Sequence, residues 1–233
     1  GVQAIAGGAY HTLILKKDSS LWAMGHNVYG QLGDGTKSNR TEPVQILSGE
    51  VQSIAAGYYH SLFVKNDGSL WVMGRNSYGA LGDGSTSNRS KPVRILSEGV
   101  QEITGGTYHS LFVKNDGSLW AMGRNSYGEL GDGTRSTRTK PVRILSGGVK
   151  TVAARGYHNL FIKNDGSLWA MGRNSYGQLG DGTRSNRTKP VRILSEEVKA
   201  IAAGFYHSLF VKNDGSLWAM GRNTYGSLGD GTK

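Results

Sequence analysis

The chain contains no cysteine, only 4 prolines, and fewer acidic residues (17) than basic ones (27). The absence of cysteine excludes disulfides, thiolate metal sites and cysteine nucleophiles, and it is compatible with any redox compartment, including that of an exported bacterial protein. No apolar run approaches the roughly 18 residues that a membrane-spanning helix needs, so we expect no membrane segment. The formal charge of +10 favours contact with an anionic partner, or serves only solubility.

Repetition dominates the sequence instead. The five tryptophans recur every 49 residues, at Trp22, Trp71, Trp120, Trp169 and Trp218, and the prolines keep the same period. The 233 residues divide into four complete units, 1–49, 50–98, 99–147 and 148–196, and an incomplete fifth, 197–233, which is 12 residues shorter. A fixed period of this length indicates a repeat architecture, which we interpret as one domain over residues 1–233.

Each unit reads as β-structure, because apolar residues alternate or form short runs between glycine-rich turns, with no helical periodicity. In residues 50–98 the pattern predicts four strands, Val51–Ala56, His60–Lys65, Leu70–Gly74 and Pro92–Leu96. An Asp67-Gly68 turn joins the second strand to the third, as in a tight hairpin. Trp71 and Met73 point away from Leu70 and Val72, so both faces of the sheet need cover from neighbouring units. This predicts an all-β, five-unit β-propeller of four-stranded antiparallel blades.

The fifth unit ends before its fourth strand, so we expect the last blade to lack its outer strand. Three arrangements remain open: a five-bladed ring with a three-stranded last blade, part of a longer propeller, or an edge that another chain completes. An unpaired strand edge favours association, so self-association through this blade is one expectation. An open β-solenoid is the alternative architecture.

One motif connects these units to a known family. Residues Leu70 to Gly84, with the sequence LWVMGRNSYGALGDG, follow Gly57 to Leu62, GYYHSL, and variants of both segments recur in all five units. The pattern resembles the repeat of the regulator of chromosome condensation family. The resemblance implies a propeller, usually of seven blades, in a family that includes a guanine nucleotide exchange factor on chromatin, ubiquitin ligase modules and a secreted bacterial inhibitor of β-lactamases. The units carry no insertion like the wedge of the exchange factor, so we do not expect nucleotide exchange.

Two repeated side chains invite a catalytic or metal-binding interpretation. One histidine opens the second strand of each unit, at His11, His60, His109, His158 and His207. Ring geometry separates equivalent positions, so we interpret these as buried imidazoles bonded to backbone rather than as bases or metal ligands. The Gly-Asp-Gly aspartates, such as Asp83, lack the further oxygen ligands of a calcium loop and are interpreted as turn residues. We therefore predict no catalytic residue, no metal and no cofactor, and a lyase-like propeller enzyme remains only as an analogy.

The arginines allow two interpretations. One series directly follows the third strand, at Arg75, Arg124, Arg173 and Arg222, and another lies in the long loop, at Arg40, Arg89, Arg138 and Arg187. Together they would form a basic ring for an anionic ligand or a nucleic acid. Alternatively, each arginine fixes its own loop through carbonyl groups or the nearby aspartate.

Positions that differ between near-identical units indicate where function has diversified, or where drift is tolerated. One such position lies two residues before each histidine, at Ala9, Tyr58, Thr107, Gly156 and Phe205, and Arg155 replaces a glycine beside it. Another lies in the long loop, at Gln31, Ala80, Glu129, Gln178 and Ser227. Both sets should share one face, because the turn after the first strand and the loop after the third lie at the same end of an antiparallel blade.

The combined pattern predicts a non-catalytic platform that binds a protein partner through this face. The predicted contact residues are Tyr58, Thr107, Arg155, Phe205, Glu129, Arg75, Arg124, Arg173 and Arg222. Aromatic and arginine side chains are the types enriched in protein interfaces. An anionic ligand or nucleic acid is the alternative partner.

Overall fold

The computed structural model describes residues 1–233 as nineteen β-strands in five antiparallel sheets, or blades, of four, four, four, four and three strands. Blade 1 comprises β1 (Val2–Gly7), β2 (His11–Lys16), β3 (Leu21–Gly25) and β4 (Arg40–Leu47). Blade 2 comprises β5 (Val51–Ala56), β6 (His60–Lys65), β7 (Leu70–Gly74) and β8 (Arg89–Leu96). Blade 3 comprises β9 (Val100–Gly105), β10 (His109–Lys114), β11 (Leu119–Gly123) and β12 (Arg138–Leu145).

Blade 4 comprises β13 (Val149–Ala154), β14 (His158–Lys163), β15 (Leu168–Gly172) and β16 (Arg187–Leu194). Blade 5 comprises β17 (Val198–Ala203), β18 (His207–Lys212) and β19 (Leu217–Gly221). Strands follow sequence order within every sheet, from the inner strand to the outer one. The prediction of an all-β propeller with a three-stranded last blade is therefore confirmed. The structure has no helix that is long and apolar enough to cross a membrane.

The predicted strands of blade 2 agree with the structure at three of four positions. The fourth strand was predicted to begin at Pro92, and it begins instead at Arg89. Arg89 pairs with Gly74 across an irregularity in the register between β7 and β8. Such a bulge lets a strand continue past a proline, and Pro92 is tolerated because β8 is the outer edge of its sheet.

Neighbouring blades bury their apolar faces against each other. Leu62, Leu70 and Val72 of blade 2 pack against Phe112 and Met122 of blade 3. The opposite face of blade 2, including Phe63 and Met73, packs against blade 1. The two faces of β7 therefore belong to different clusters, as the alternation of its residues predicts. Equivalent residues build four such clusters, one between each pair of consecutive blades.

No fifth cluster joins blade 5 to blade 1. Val2 and Ile5 on the inner strand of blade 1 are 55% and 73% exposed, whereas their counterparts in the other blades are largely covered. Leu217 of blade 5, whose counterparts face the following blade, is 68% exposed. The five blades thus form an arc with an apolar surface at each end rather than a closed ring.

A side-chain hydrogen bond also connects each blade to the next. His60 Nε2 lies 2.9 Å from Ser110 Oγ of blade 3, and that hydroxyl donates to the carbonyl of Ala80 in the long loop of blade 2, at 2.8 Å. The same contacts join His11 to Ser61, His109 to Asn159 and His158 to Ser208. The prediction of buried histidines is confirmed for these four, whereas His207 in blade 5 is only half-buried. The predicted backbone partner is wrong, because each of the four rings faces a side chain of the following blade.

This arrangement defines the tautomer of the histidines. Ser110 Oγ uses its single hydrogen to bond the Ala80 carbonyl, so it accepts from the His60 ring. Asn159 of blade 4 presents its carbonyl oxygen Oδ1 to His109 of blade 3, so the His109 ring must also donate. The rings therefore carry their hydrogen on Nε2, and a buried Nδ1 is left without a partner in His11, His109 and His158.

We predict that Ser110→Ala destabilises the fold by roughly 1 to 3 kcal/mol, because both the His60 N–H and the Ala80 carbonyl lose a buried partner. Ser195→Ala is the matched control, since Ser195 is exposed. The free energy of unfolding from denaturant titration gives the measurement. Equal stability of the two variants would show that this contact is not important for blade packing.

The histidines also predict sensitivity to mild acid. Burial lowers the pKa of His60 and His158 to about 3, and that of His11 and His109 to about 4. On acidification the unfolded chain therefore takes up protons near pH 6.5, before the folded chain does. Stability should fall between about pH 6.5 and pH 4, by roughly 1.4 kcal/mol per pH unit for each histidine. Burial raises the pKa of Glu102 and Glu129, so these two groups favour the folded chain on acidification. They oppose the effect of the four histidines but are fewer.

The measurement is the free energy of unfolding as a function of pH, with attention to its slope rather than its absolute value. His60→Gln should reduce the slope in this window. His26→Gln is the control, because His26 is half-buried in the long loop of blade 1. Its ring bonds Gln31 of the same loop instead of a side chain of the next blade. A slope that His60→Gln leaves unchanged would contradict the assignment of a neutral, buried ring.

Candidate protein-binding surface

The turn after the first strand and the long loop after the third lie side by side in every complete blade. The Arg75 amide donates to the Tyr59 carbonyl at 2.9 Å, and the His26 amide donates to the Tyr10 carbonyl at 2.8 Å. These bonds join the beginning of the long loop to the residue that precedes the second strand. One face of the arc therefore carries both segments.

The long loop is held by its own polar side chains. Asp83 Oδ1 accepts from the amide and hydroxyl of Ser85, and its Oδ2 accepts from Arg89 Nε at 2.7 Å. Asn76 donates to the same Asp83 and to the Ser85 carbonyl. The interpretation of these aspartates as turn residues is confirmed. The arginine series of the loop, Arg40, Arg89, Arg138 and Arg187, is confirmed as loop-fixing, because each one pairs with its aspartate.

The other arginine series forms a different structure on the same face. The Arg75 guanidinium lies 4.9 Å from the ring of Tyr29 in blade 1, 5.6 Å from that of Tyr59 in its own blade and 4.9 Å from that of Tyr108 in blade 3. Distances below about 6 Å allow cation–π attraction. Arg124, Arg173 and Arg222 continue the pattern into the following blades.

We call this surface the Tyr–Arg belt. It consists of Tyr10, Tyr29, Tyr59, Tyr78, Tyr108, Tyr127, Tyr157, Tyr176, Tyr206 and Tyr225 with Arg75, Arg124, Arg173 and Arg222. In blade 1, His26 takes the place of the arginine, and its ring centroid lies within 6.2 Å of those of Tyr10, Tyr29 and Tyr59. The belt runs continuously from blade 1 to blade 5.

The belt arginines have no carboxylate partner. Every salt bridge in the structure uses a different basic residue. Arg75 donates through Nε to Ser77 Oγ at 3.2 Å, a contact that orients the guanidinium without neutralising it. Four positive charges therefore stand among aromatic rings, partly exposed and free to pair with an acidic group.

Two aromatic residues extend the belt toward the axis of the arc. The ring centroids of Tyr58 in blade 2 and Phe205 in blade 5 lie 6.0 Å apart, with an angle of 69° between the ring planes. Tyr58 also contacts Tyr10 and Tyr59, while Phe205 contacts Tyr157 and Tyr206. All eleven tyrosines of the chain thus belong to this face.

The pKa of three phenols on this surface, those of Tyr58, Tyr59 and Tyr157, is raised above the ordinary value. The neighbouring Tyr10 hydroxyl and burial raise the pKa of Tyr58 to about 12. Burial is the main cause that raises the pKa of Tyr59 and of Tyr157. These three tyrosines are therefore held in their neutral form and add no negative charge beside the belt arginines.

The predicted contact residues occupy different depths. Tyr58, Phe205 and Arg155 are at least partly accessible on this face, as are the four belt arginines. Thr107 is 2% exposed, and its hydroxyl donates to the Gly156 carbonyl. Glu129 is fully buried and accepts from the Tyr127 amide at 2.7 Å. Thr107 and Glu129 therefore support the loops from the interior, and only the other predicted residues are accessible to a partner.

Sequence reasoning did not single out the belt tyrosines. They are invariant among the units, and apart from the arginine series we assigned a functional meaning only to positions that vary. The signal was nevertheless present, since two tyrosines per unit recur at the period of 49 and flank the arginine position. The structure contains no group of three or more His, Cys, Asp or Glu side chains placed to hold a metal ion.

Comparisons with known proteins agree with this architecture. The family model described as RCC1-like domain matches residues 1–233. The structure of human WBSCR16 is similar, with a TM-score of 0.84 and 25% identity over 95% of this chain and 62% of that one. This chain thus spans less than two thirds of the length of human WBSCR16.

Two yeast structures share the fold. Yeast RCC1 (Prp20), in its complex with Kap60, gives a TM-score of 0.74 and 19% identity over 95% of this chain and 70% of that one. Prp20p from Saccharomyces cerevisiae, studied together with its binding to Gsp1p and histones, gives 0.71 and 20% over 100% and 74%. The recurring motif, the blade architecture and the match over the whole chain lead to one conclusion: the chain belongs to the RCC1-like domain family.

Proposed function

We propose that this chain is a non-catalytic platform that binds a protein through the Tyr–Arg belt together with Tyr58 and Phe205. The observation that supports the proposal most directly is that four arginines without carboxylate partners stand between tyrosine rings on one face. Tyrosine and arginine are the residues most enriched at the energetic centres of protein interfaces. Each such pair offers a large, rigid contact area with a charge at its edge.

The belt is also held rigid before any partner binds. The long loops are anchored by Asp–Arg pairs and asparagine bonds, and each belt arginine is fixed between rings that belong to two or three blades. A preformed surface loses little conformational entropy on binding. Yeast RCC1 (Prp20), which shares this fold, is itself bound to a protein, Kap60.

A second candidate function rests on the same arginines. Four unpaired guanidinium groups on a chain of formal charge +10 form a surface to which an anionic ligand or a nucleic acid would be attracted. The aromatic rings around them are equally suited to stacking with bases. The two functions differ in their dependence on salt and on the central aromatic pair.

We predict that changing both Tyr58 and Phe205 to alanine lowers the affinity for a protein partner at least about 30-fold, because both rings lie at the centre of the contact surface. Partners would be captured from an extract at about 200 mM salt, which suppresses non-specific electrostatic binding, and identified by mass spectrometry. Calorimetry with the purified partner then gives the affinities. Trp218→Ala is the matched control, as an exposed aromatic residue outside the belt. Unchanged affinity of the double variant would place the contact surface elsewhere.

The second candidate function, binding of an anionic ligand through the belt, makes a different prediction, which heparin chromatography tests. Two double variants each lower the formal charge of +10 by two. The belt variant is Arg124→Gln with Arg173→Gln, and the rim variant is Arg143→Gln with Arg192→Gln, on the outer strands β12 and β16. If the belt collects anions, the belt variant elutes at lower salt than the rim variant. If both variants shift equally, the retention reflects net charge alone, and the anionic function loses its support.

A further inference from the structure

The Tyr–Arg belt repeats one arrangement at each junction between neighbouring blades. There the long-loop tyrosine of one blade meets the tyrosine before the second strand of the next blade, with ring centroids 5.1 to 5.5 Å apart. The pairs are Tyr29–Tyr59, Tyr78–Tyr108, Tyr127–Tyr157 and Tyr176–Tyr206. From blade 2 onward, each pair lies between two belt arginines. The belt therefore alternates between a positive charge and a pair of aromatic rings.

Consecutive belt arginines are separated by about the distance between two blades. The guanidinium groups of Arg124 and Arg173 each lie 5.1 Å from the ring of Tyr127, so they are at most about 10 Å apart. Arg173 and Arg222 each lie 5.4 Å from the ring of Tyr206, which sets nearly the same limit. Sheets that pack face to face are also separated by about 10 Å. A partner that follows the belt therefore meets one positive charge at each such interval.

The loops of the belt face present no accessible carboxylate in blades 1 to 4. Their aspartates are paired with arginines, and the aspartate side chains are only 3% to 5% exposed. Glu129 is fully buried. Other turn acids, such as Asp67 and Glu98, follow the second or the fourth strand and so lie at the opposite end of the blades. The belt face therefore attracts an acidic partner and repels a basic one.

We propose that the belt binds an extended acidic segment of the partner protein in the polyproline II conformation, with an acidic residue at every third position. This inference rests on the proposed function and specifies the chemistry of the partner. Polyproline II has three residues per turn and rises about 3.1 Å per residue, so every third side chain lies on the same side at intervals of roughly 9 Å. This interval matches the arginine spacing, so each carboxylate accepts from one guanidinium group.

The tyrosine pairs suit the residues between the acidic ones. Segments in the polyproline II conformation dock into aromatic-lined grooves, and their preformed conformation loses little entropy on binding. The rings of Tyr78 and Tyr176 are accessible, since these residues are 41% and 37% exposed. Two prolines between consecutive acidic residues would pack against the tyrosine pair between two arginines.

Other regular conformations fit the belt less well. A β-strand repeats the same face every two residues, or about every 7 Å, which is shorter than the arginine spacing. An α-helix places residues seven apart at intervals of about 10.5 Å, but its straight axis does not follow the arc of several blades. Only the threefold extended conformation matches the interval and also leaves apolar residues facing the rings.

The test uses the complete chain and a synthetic peptide of four Glu-Pro-Pro triplets. The control peptide has the same composition, with its four glutamates together and its eight prolines after them, so the net charge is equal. Calorimetry should show saturable binding of the triplet peptide, at least about tenfold tighter than that of the control, because fewer grouped carboxylates reach an arginine. A peptide of four Lys-Pro-Pro triplets should not bind, because its charge has the same sign as the belt.

Chain variants locate the peptide on the belt. Arg124→Gln with Arg173→Gln should weaken binding of the triplet peptide at least about tenfold, because two carboxylates lose a charged partner. Arg143→Gln with Arg192→Gln, on the outer strands, removes the same charge and is the matched control. Tyr127→Ala should also weaken binding, since its ring lies between Arg124 and Arg173. Far-UV circular dichroism checks that each variant keeps its fold.

Four results would overturn the inference. They are equal affinity for the triplet and grouped peptides, equal weakening by the belt and outer-strand variants, no binding at about 1 mM peptide, and tighter binding of a helical peptide with glutamates seven residues apart. If a captured protein still depends on Tyr58 and Phe205, any of these results rejects only the acidic polyproline II segment. If that dependence is also absent, the proposed function fails as well.

Discussion

The contact between neighbouring blades is the interaction on which the rest of the structure depends. A single blade has two apolar faces and cannot bury either one alone. In this chain the leucine face of each blade packs against the Phe, Trp and Met face of the next. A His–Ser or His–Asn hydrogen bond also connects the two blades. Because the units are near copies, the same interface geometry occurs between all four pairs of consecutive blades. Stability is therefore close to a sum of neighbour contacts, and the two end blades, with one contact each, are the least supported.

The repeat period made much of this fold predictable from the sequence. The strand order, the opposite faces of Leu70 and Trp71 and the open edge of blade 5 all follow from local alternation and from counting. Two details did not follow. The early start of β8 at Arg89 depends on a bulge, which shifts the register without a sequence signature. The serine partner of His60 lies 50 residues away in the next blade, so only the relative placement of two sheets reveals it.

The sequence predicted on which face the candidate surface lies, but it did not predict the belt tyrosines or which of the named residues are accessible. The antiparallel blade correctly placed the turn after the first strand and the long loop at the same end. Variation among the units led to Tyr58 and Phe205, which meet at the axis, but it also led to Glu129 and Thr107, which are buried. A variable position can reflect a change of internal support as easily as a change of partner. Glu129 illustrates this, since Gln31 and Gln178 accept from the equivalent loop amides in blades 1 and 4.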